Sequence, residues 1–313
     1  MTQLLKRINL DHITPLILLG GLSILPWIYY HDYVVHLIIL SLMYAVISIT
    51  WTLLGLTGAA SLGHSAYFGL GAYFTIFSLK YWGLVSYLAI PIAILVSSAV
   101  AIMIGYITFR FGIAGIYFAL TTIAFAEILR ELFIYYREFT GGSLGVFVSP
   151  ISSIGYFFYD SKIPYYYTLI ILLLILYIYL MFSRQASKFL KILSAIGEDI
   201  STAASIGINI LKYRLYAFLW GAIFTSLMGW FYVHYLRYVT PDVGFGLGLS
   251  VYVALLSIVA NLRLPYILIA SLILTPVGEV LRAVVGYQFA GLDVLVYGLL
   301  LMILVVVRAL RKR

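Results

Sequence analysis

The sequence predicts an all-α membrane protein built as a bundle of transmembrane helices, and two observations carry this prediction. Apolar residues make up 64% of the 313 residues and charged residues only 10%, against about 45–50% and about 25% in ordinary soluble domains. A soluble core grows too slowly with chain length to bury so much apolar surface. The apolar residues also collect in long segments of the length that a bilayer requires.

Ten segments have the roughly 20 apolar residues that a spanning helix needs, or nearly so. The eighth is short and the third is rich in glycine, so broken or re-entrant segments would reduce the number of spans to eight. The first segment is expected to be a retained span, because no A-x-A cleavage site follows it. We treat the chain as one transmembrane domain, 1–313. The limits are 13–30, 33–54, 64–80, 86–109, 114–136, 163–183, 213–237, 247–262, 264–285 and 292–309.

The basic residues indicate how these segments are oriented. With both termini in the cytoplasm, most of the 19 basic residues fall on the inner side, as the positive-inside rule requires. The long polar stretch 184–212 then lies inside, and the stretch 137–162 lies outside. The inner residues are Lys6, Arg7, Arg110, Arg184, Lys188, Lys191, Lys212, Arg214, Arg263, Arg308, Arg311, Lys312 and Arg313.

Composition also excludes several kinds of chemistry. The chain has no cysteine, and its 5 histidines are scattered, so neither a thiol nor a clustered metal site is expected. The net charge of +8 is explained by the excess of Lys and Arg in the predicted inner loops. No basic run is long enough to indicate nucleic-acid binding. No G-x-x-x-x-G-K-[ST] loop is present, so the chain itself is not expected to bind ATP. We therefore expect no enzyme activity, no cofactor and no metal in this chain.

The first motif runs from Gly55 to Tyr73, where glycine and other small residues recur across a span boundary. Small residues allow helices or unwound backbone to approach closely, so plain helix packing is one interpretation. The polar residues favour a second interpretation, a solute path, because polar groups at membrane depth are costly unless they have a function. A helix that begins near His64 would also point its positive end at an anionic group. The predicted path residues here are Gly63, His64, Ser65 and Tyr67.

The second motif is a pair of carboxylates, Glu127 and Glu279, each in the pattern E-[IV]-L-R. The spacing places each glutamate on the same helix face as the arginine three residues later, Arg130 or Arg282. The repeat hints at an internal duplication of the kind that transporters show. Self-neutralised pairs near the outer interface are the simpler interpretation. Thr121, Thr122 and Glu127 are nevertheless predicted to line a path.

Two loops carry further motifs. Thr140 to Gly145 is rich in glycine and predicts a turn, with a gate or a docking rim for a solute-binding protein as the functional alternative.

In 184–212, acidic residues at 198–199 suit a helix start and Gly207 suits a helix end. A short helix of about two turns is therefore predicted, and its slim face suits docking into a groove on a partner. The alternative is an interfacial helix lying flat on the membrane.

These motifs resemble those of a known family, the permeases of branched-chain amino-acid ABC importers of the LivM type. The resemblance covers about Trp51 to Arg308, and it is carried by Gly55–Tyr73, Tyr117–Arg130 with the T-G-G-S-L-G-V that follows, and Ala195–Asn209. The tail from Val296 to Leu301 also fits. The family usually has Arg where Gly197 stands and Glu where Ile200 stands, and it has a glycine-rich run where this chain has 260–265.

The resemblance implies an importer subunit in a prokaryotic plasma membrane, with the path for branched-chain or related small amino acids in this chain. Two separate ABC ATPase subunits would bind ATP, a second permease or a second copy would complete the path, and an extracytoplasmic solute-binding protein would deliver substrate. The coupling helix would seat in an ATPase subunit through Glu198, Asp199, Ala203, Ala204, Gly207 and Ile208.

Three alternatives follow. A related permease of this superfamily would carry urea or amide-type substrates. An ion-coupled secondary transporter of a small polar solute would use Glu127 or Glu279 as its ion site. A membrane-embedded enzyme would need clustered His, Asp or Glu, which the scattered histidines do not provide.

Overall fold

A computed structural model describes residues 10–149, 157–285, 299 and 302 of the chain. The described part is almost entirely helical, with one small antiparallel β ladder, so the predicted all-α class is confirmed. The helices are α1 Leu10–Ile28, α2 Asp32–Gly55, α3 His64–Lys80, α4 Ser86–Arg110, α5 Gly115–Tyr135, α6 Arg137–Thr140, α7 Ile163–Phe182, α8 Arg184–Glu198, α9 Ile200–Ser205, α10 Ile210–Leu236, α11 Pro241–Phe245, α12 Leu247–Val259 and α13 Leu264–Val285.

A helix lies at each of the first nine predicted segments, and the tenth, 292–309, falls outside the described residues except at 299 and 302. Five helical stretches of the described part are long and apolar enough to cross a membrane. Helix α3 is not among them because it has only 17 residues. Helix α5 is not among them because it carries three charged residues, Glu127, Arg130 and Glu131. The ten-span count and the orientation stay predictions. The five stretches are Asp32–Gly55, Ser86–Arg110, Ile163–Phe182, Ile210–Leu236 and Pro241–Val259.

The chain forms two compact units. The first contains the described residues within 1–49, 159–191 and 255–313. In it, α1 packs against α7 through tyrosine side chains: Tyr166 donates to the Leu22 carbonyl at 2.6 Å and Tyr167 to the Ser23 carbonyl at 2.8 Å. Tyr177, further along α7, donates to the Leu264 carbonyl at the start of α13. Each hydroxyl thus donates to a main-chain carbonyl of a neighbouring helix.

The second unit contains the described residues within 50–158, together with 192–254. Helices α3, α4 and α10 are its main layer, and α3 approaches α10 through small residues. A Cβ on Gly71 would overlap the Ser226 carbonyl, and one on Gly229 would overlap the Phe68 carbonyl. Because the glycines remove side chains from the contact, the two backbones lie close together, as predicted for the first motif.

An aromatic and aliphatic cluster packs around the second half of α3. Tyr73 on α3 stacks on Phe245 of α11 with ring centroids 5.9 Å apart, and both side chains are fully buried. The ladder of β1 (Val146–Phe147) and β2 (Tyr238–Val239) lies beside them. The predicted turn at Thr140–Gly145 precedes β1, with Gly141, Gly142 and Gly145 at positive φ, so glycine is required there for conformational reasons.

The stretch 184–212 is more helical than the sequence predicted. Instead of a loop with one short helix, it contains the 15-residue helix α8 followed by α9. Leu193 and Ile196 of α8 are buried, while Lys188 and Lys191 on its other side are exposed. Ala186, Leu190, Leu193 and Ile196 recur at the spacing of an amphipathic helix, but the sequence analysis looked for long apolar segments and treated this polar stretch as a loop, so it missed α8.

Candidate functional site

The first turn of α3 lies against α5 at the junction of Gly63 and Thr122. A Cβ on Gly63 would overlap the carbonyl group of Thr122. The Thr122 hydroxyl accepts a hydrogen bond of 3.0 Å from the Leu62 amide and donates to the Ala119 carbonyl. Thr122 thus holds the chain at the entry to α3, and the structure brings together two of the predicted path residues.

His64 opens α3 and is completely buried. Neither ring nitrogen has a hydrogen-bond partner within the described part of the chain. A Cβ on Gly221 of α10 would lie 2.7 Å from its Nε2, so the imidazole fills the space left by that glycine. A buried polar group without a partner is costly, and an imidazole can both donate and accept hydrogen bonds.

Two other predicted residues flank His64. The Tyr67 ring packs edge-on against His64 and Phe218, at centroid distances of 6.0 and 5.5 Å. The Ser65 amide donates to the Ser250 hydroxyl at 2.9 Å, and the two hydroxyls are 3.1 Å apart. We call His64, Ser65, Tyr67, Gly221 and Ser250 the His64 cluster. Gly221 and Ser250 were missed by the sequence analysis, because nothing in the sequence pairs them with α3.

The hydrogen bonds of Thr121 and Glu127 are made with residues outside the His64 cluster. The Thr121 hydroxyl donates to the Tyr117 carbonyl of its own helix. Glu127 accepts from Arg130 Nε at 2.7 Å, which is the predicted pairing at a spacing of three. Arg130 also bridges to Glu131 and, across to α11, to Asp242 at 2.8 Å. In the second predicted pair, Glu279 and Arg282, the Arg282 side chain lies outside the described part.

The segment around α9 has the local structure that the sequence predicted. Asp199 is the N-cap, and it accepts hydrogen bonds from the Ser201 amide and from the side chains of Ser201 and Thr202. The hydrogen bonds from Thr202 and Ser201 lower the pKa of Asp199 to about 2. At the other end Gly207 has a φ of 84°, and its amide donates to the Ala204 carbonyl.

The surface of this segment is exposed. Glu198, Asp199, Ala204 and Gly207 are exposed, Ile208 is half-buried and Ala203 is buried. Two large apolar side chains also face outward, Ile200 at 44% and Ile206 at 71% exposure. The docking prediction named neither of them. Their alternation with charged and small residues gave no helical stripe that could have identified them.

The described residues contain no group of three or more His, Asp or Glu side chains able to hold a metal ion. The site therefore consists of two features of the same unit: the buried His64 cluster, and the exposed segment 198–208. Small residues let membrane helices pack closely, and an ionisable residue buried among them marks a candidate solute or ion pathway, so the fold and the site point to a membrane transport protein.

Comparison with known proteins agrees with that class. The family model described as branched-chain amino acid transport system, permease component, matches residues 33–306, and the chain belongs to this family. It is similar to the high-affinity branched-chain amino acid transport system permease protein LivM of Salmonella typhimurium, with 25% identity over 251 residues. The LivM protein of Escherichia coli is 24% identical over 251 residues. Both matches cover 73% of this chain and 58% of the relative. No solved structure matches the chain.

Proposed function

We propose that this chain is the membrane-spanning permease subunit of an ATP-driven importer, and that it forms the path for branched-chain or related small amino acids. Its work is transport, coupled to ATP hydrolysis by separate ABC ATPase subunits. The membrane is a prokaryotic plasma membrane. The family assignment supports the solute class, since the matching relatives are named for branched-chain amino acid transport.

The observation that carries the coupling role is the exposed segment around α9. A helix of only 6 residues has too few backbone hydrogen bonds to be stable alone. The Asp199 cap and the left-handed Gly207 define its two ends. The exposed Ile200 and Ile206 side chains give the segment an apolar surface suited to a groove on a partner protein.

The path itself is proposed to pass the start of α3. Gly63, His64, Ser65, Tyr67 and Thr122 converge there, and Thr121 and Glu127 are predicted to line its continuation along α5. In the conformation described, the His64 ring lies directly against Gly221 and leaves no space between α3 and α10 at this point. Separation of α3 from α10 would free the imidazole to hydrogen-bond a polar solute.

The proposed assembly contains two ATPase subunits, a second permease or a second copy of this chain, and an extracytoplasmic solute-binding protein. A permease for urea or amide-type solutes would use the same assembly with a different path chemistry. The ion-coupled alternative needs a carboxylate that can titrate or bind a cation. The ion pair between Glu127 and Arg130 counts against that role for Glu127.

Gly207→Val tests the coupling role directly. Valine at a φ of 84° is strained by more than the roughly 1–2 kcal/mol that an ordinary L residue costs in this region. We expect G207V to abolish ATP-dependent uptake while the chain stays in the membrane at its normal level. Gly207→Asn is the matched control, because asparagine tolerates the left-handed conformation, and it should retain most uptake.

Co-purification with the ATPase subunits completes the test. We expect the unsubstituted chain and G207N to retain the ATPases, and G207V to lose them. Unchanged uptake by G207V would refute the coupling role. A chain that purifies alone, and that transports in liposomes without any ATPase, would establish the ion-coupled alternative instead.

A further inference from the structure

The α2–α3 loop, residues 56–63, connects the exposed segment around α9 to the His64 cluster. It begins after Gly55 and ends at Gly63, directly before His64. Its residues belong to the same compact unit as α9 and α10. Its contacts join it to α2, α5, α8 and α10, and each end has both a close glycine contact and a side-chain hydrogen bond to a loop carbonyl.

At its first end the loop lies against Gly197, near the end of α8. A Cβ on Gly197 would overlap the Leu56 carbonyl oxygen and would lie 3.3 Å from the Gly58 amide nitrogen. Gly197 is helical and has no positive φ. Glycine is therefore needed here for space and not for backbone conformation. The contact is between two closely packed backbones, so a movement of one towards the other must displace it.

Arg214 makes a second contact with the same part of the loop. It lies in the first turns of α10, is 8% exposed, and donates from Nη2 to the Thr57 carbonyl at 3.0 Å. A buried guanidinium bonded to a main-chain carbonyl holds that carbonyl strongly, because breaking the bond would leave a buried charge unsatisfied. Residues 56–58 are thus held by one residue before α9 and by one residue after it.

The far end of the loop is attached to the path. Trp51 donates from Nε1 to the Ser61 carbonyl at 2.7 Å, and the Leu62 amide donates to the Thr122 hydroxyl. The next residue is Gly63, whose Cα lies against the Thr122 backbone. A displacement of residues 56–58 therefore has a continuous covalent and hydrogen-bonded route to His64.

From this arrangement we infer that Gly197 and Arg214 are positioning residues that transmit movement of segment 198–208 through the α2–α3 loop to the His64 cluster. The inference rests on the proposed function and specifies how docking of an ATPase reaches the path. In this structure a Cβ at position 197 would overlap the Leu56 carbonyl oxygen, so the glycine leaves room for the loop where it now lies.

The test uses the whole complex in proteoliposomes with a reporter on the loop. The chain has no cysteine, so A60C introduces a single thiol at a position that is exposed. The rate at which a maleimide labels that thiol is measured with and without a non-hydrolysable ATP analogue. We expect the analogue to change the labelling rate severalfold in the A60C background.

Gly197→Ala is the variant that breaks the contact, since alanine favours the helix but its Cβ has no room. We expect G197A to assemble with the ATPases and to hydrolyse ATP. The labelling rate should no longer respond to the analogue, and uptake should fall roughly tenfold, within the range typical of a lost coupling. Gly20→Ala is the matched control, because no atom lies within 4 Å of its Cβ position.

Arg214 gives an independent variant pair. Arg214→Met should reproduce the loss of response, and Arg214→Lys, which keeps a charged donor, should restore part of it. Because both positions act on residues 56–58, the double variant G197A/R214M should be no worse than the more severe single variant.

Four outcomes would overturn the inference. They are a thiol at position 60 that never responds to the analogue, a G197A chain that behaves like G20A, a G197A chain that fails to assemble, and fully additive losses in the double variant. Failure of the proposed function is distinguishable, since the unsubstituted chain itself would then neither retain ATPase subunits nor require ATP for uptake.

Discussion

The imidazole of His64 occupies the space that a side chain at Gly221 would need, with 2.7 Å between Nε2 and the position of a Cβ. Gly221→Ala should therefore push the ring or separate α3 from α10. Overpacking of this kind costs about 1–3 kcal/mol, and we expect a lower midpoint of thermal unfolding in detergent together with reduced uptake.

The double variant H64A/G221A shows whether the clash with the imidazole causes the loss of stability in G221A. His64→Ala removes the imidazole, so G221A should cost little stability in that background. Gly21→Ala serves as the control, because no atom lies within 4 Å of its Cβ position. An equal loss of stability from G221A with and without His64 would show that the glycine is needed for another reason.

Thr122 and Thr121 make a matched pair of neighbours on α5. Thr122→Val removes the acceptor of the Leu62 amide, and an unsatisfied buried donor costs about 1–3 kcal/mol. Thr121→Val removes a hydroxyl that donates to a carbonyl of its own helix, so a smaller effect is expected. Equilibrium unfolding of the two variants measures the difference, and equal effects would contradict the role assigned to Thr122.

Arg130 holds three carboxylates, Glu127, Glu131 and Asp242, whose side chains are 41%, 64% and 64% exposed. At such exposure each pair contributes at most about 1 kcal/mol, so Arg130→Gln should destabilise the chain by about 1–2 kcal/mol. The loss should shrink at high salt, where screening weakens the pairs. Arg110→Gln changes the net charge equally at an exposed position. A similar loss from both variants would mean that charge, and not the pairing, matters.

Asp199 should act as a cap throughout the physiological pH range. Its pKa is lowered to about 2 by the hydrogen bonds from Thr202 and Ser201, so the capping contribution is present above the ordinary pKa of an aspartate and is lost as the pH falls towards 2. Amide hydrogen exchange of residues 201–204 should therefore show no titration of the cap between about pH 5 and pH 8.

The same exchange measurement separates the cap from the charge. Asp199→Ala removes the acceptor of the Ser201 amide and should speed exchange across α9, whereas Asp199→Asn keeps a good N-cap and should change it little. Faster exchange in D199N than in D199A would rule out the capping role.

The sequence predicted local features well, because these depend on residues close together in the chain. Gly207 and Asp199 indicated the two ends of α9, since a left-handed residue and an N-cap are local requirements. The spacing of three between Glu127 and Arg130 predicted their ion pair. The amphipathic helix α8 was missed, because segments were chosen by overall hydrophobicity and α8 has an apolar face but no long apolar run.

Contacts between distant residues were beyond the sequence analysis. Nothing near Arg130 pointed to Asp242, which lies 112 residues later. Ser65 and Ser250, which share a hydrogen bond, are separated by 185 residues. Such contacts depend on which helix faces pack together, and hydrophobic periodicity does not specify a partner for an apolar or glycine-rich face.

The sequence by itself determined that this is an all-α membrane protein, where its long apolar helices form and where α9 begins and ends, because hydrophobicity, spacing and capping act over a few residues. Only the tertiary structure decided that His64 packs against Gly221, and that Gly197 and Arg214 hold the same three residues of the α2–α3 loop. Those contacts arise from close approach of separate backbones, and a glycine in a sequence records that space is needed without recording what fills it.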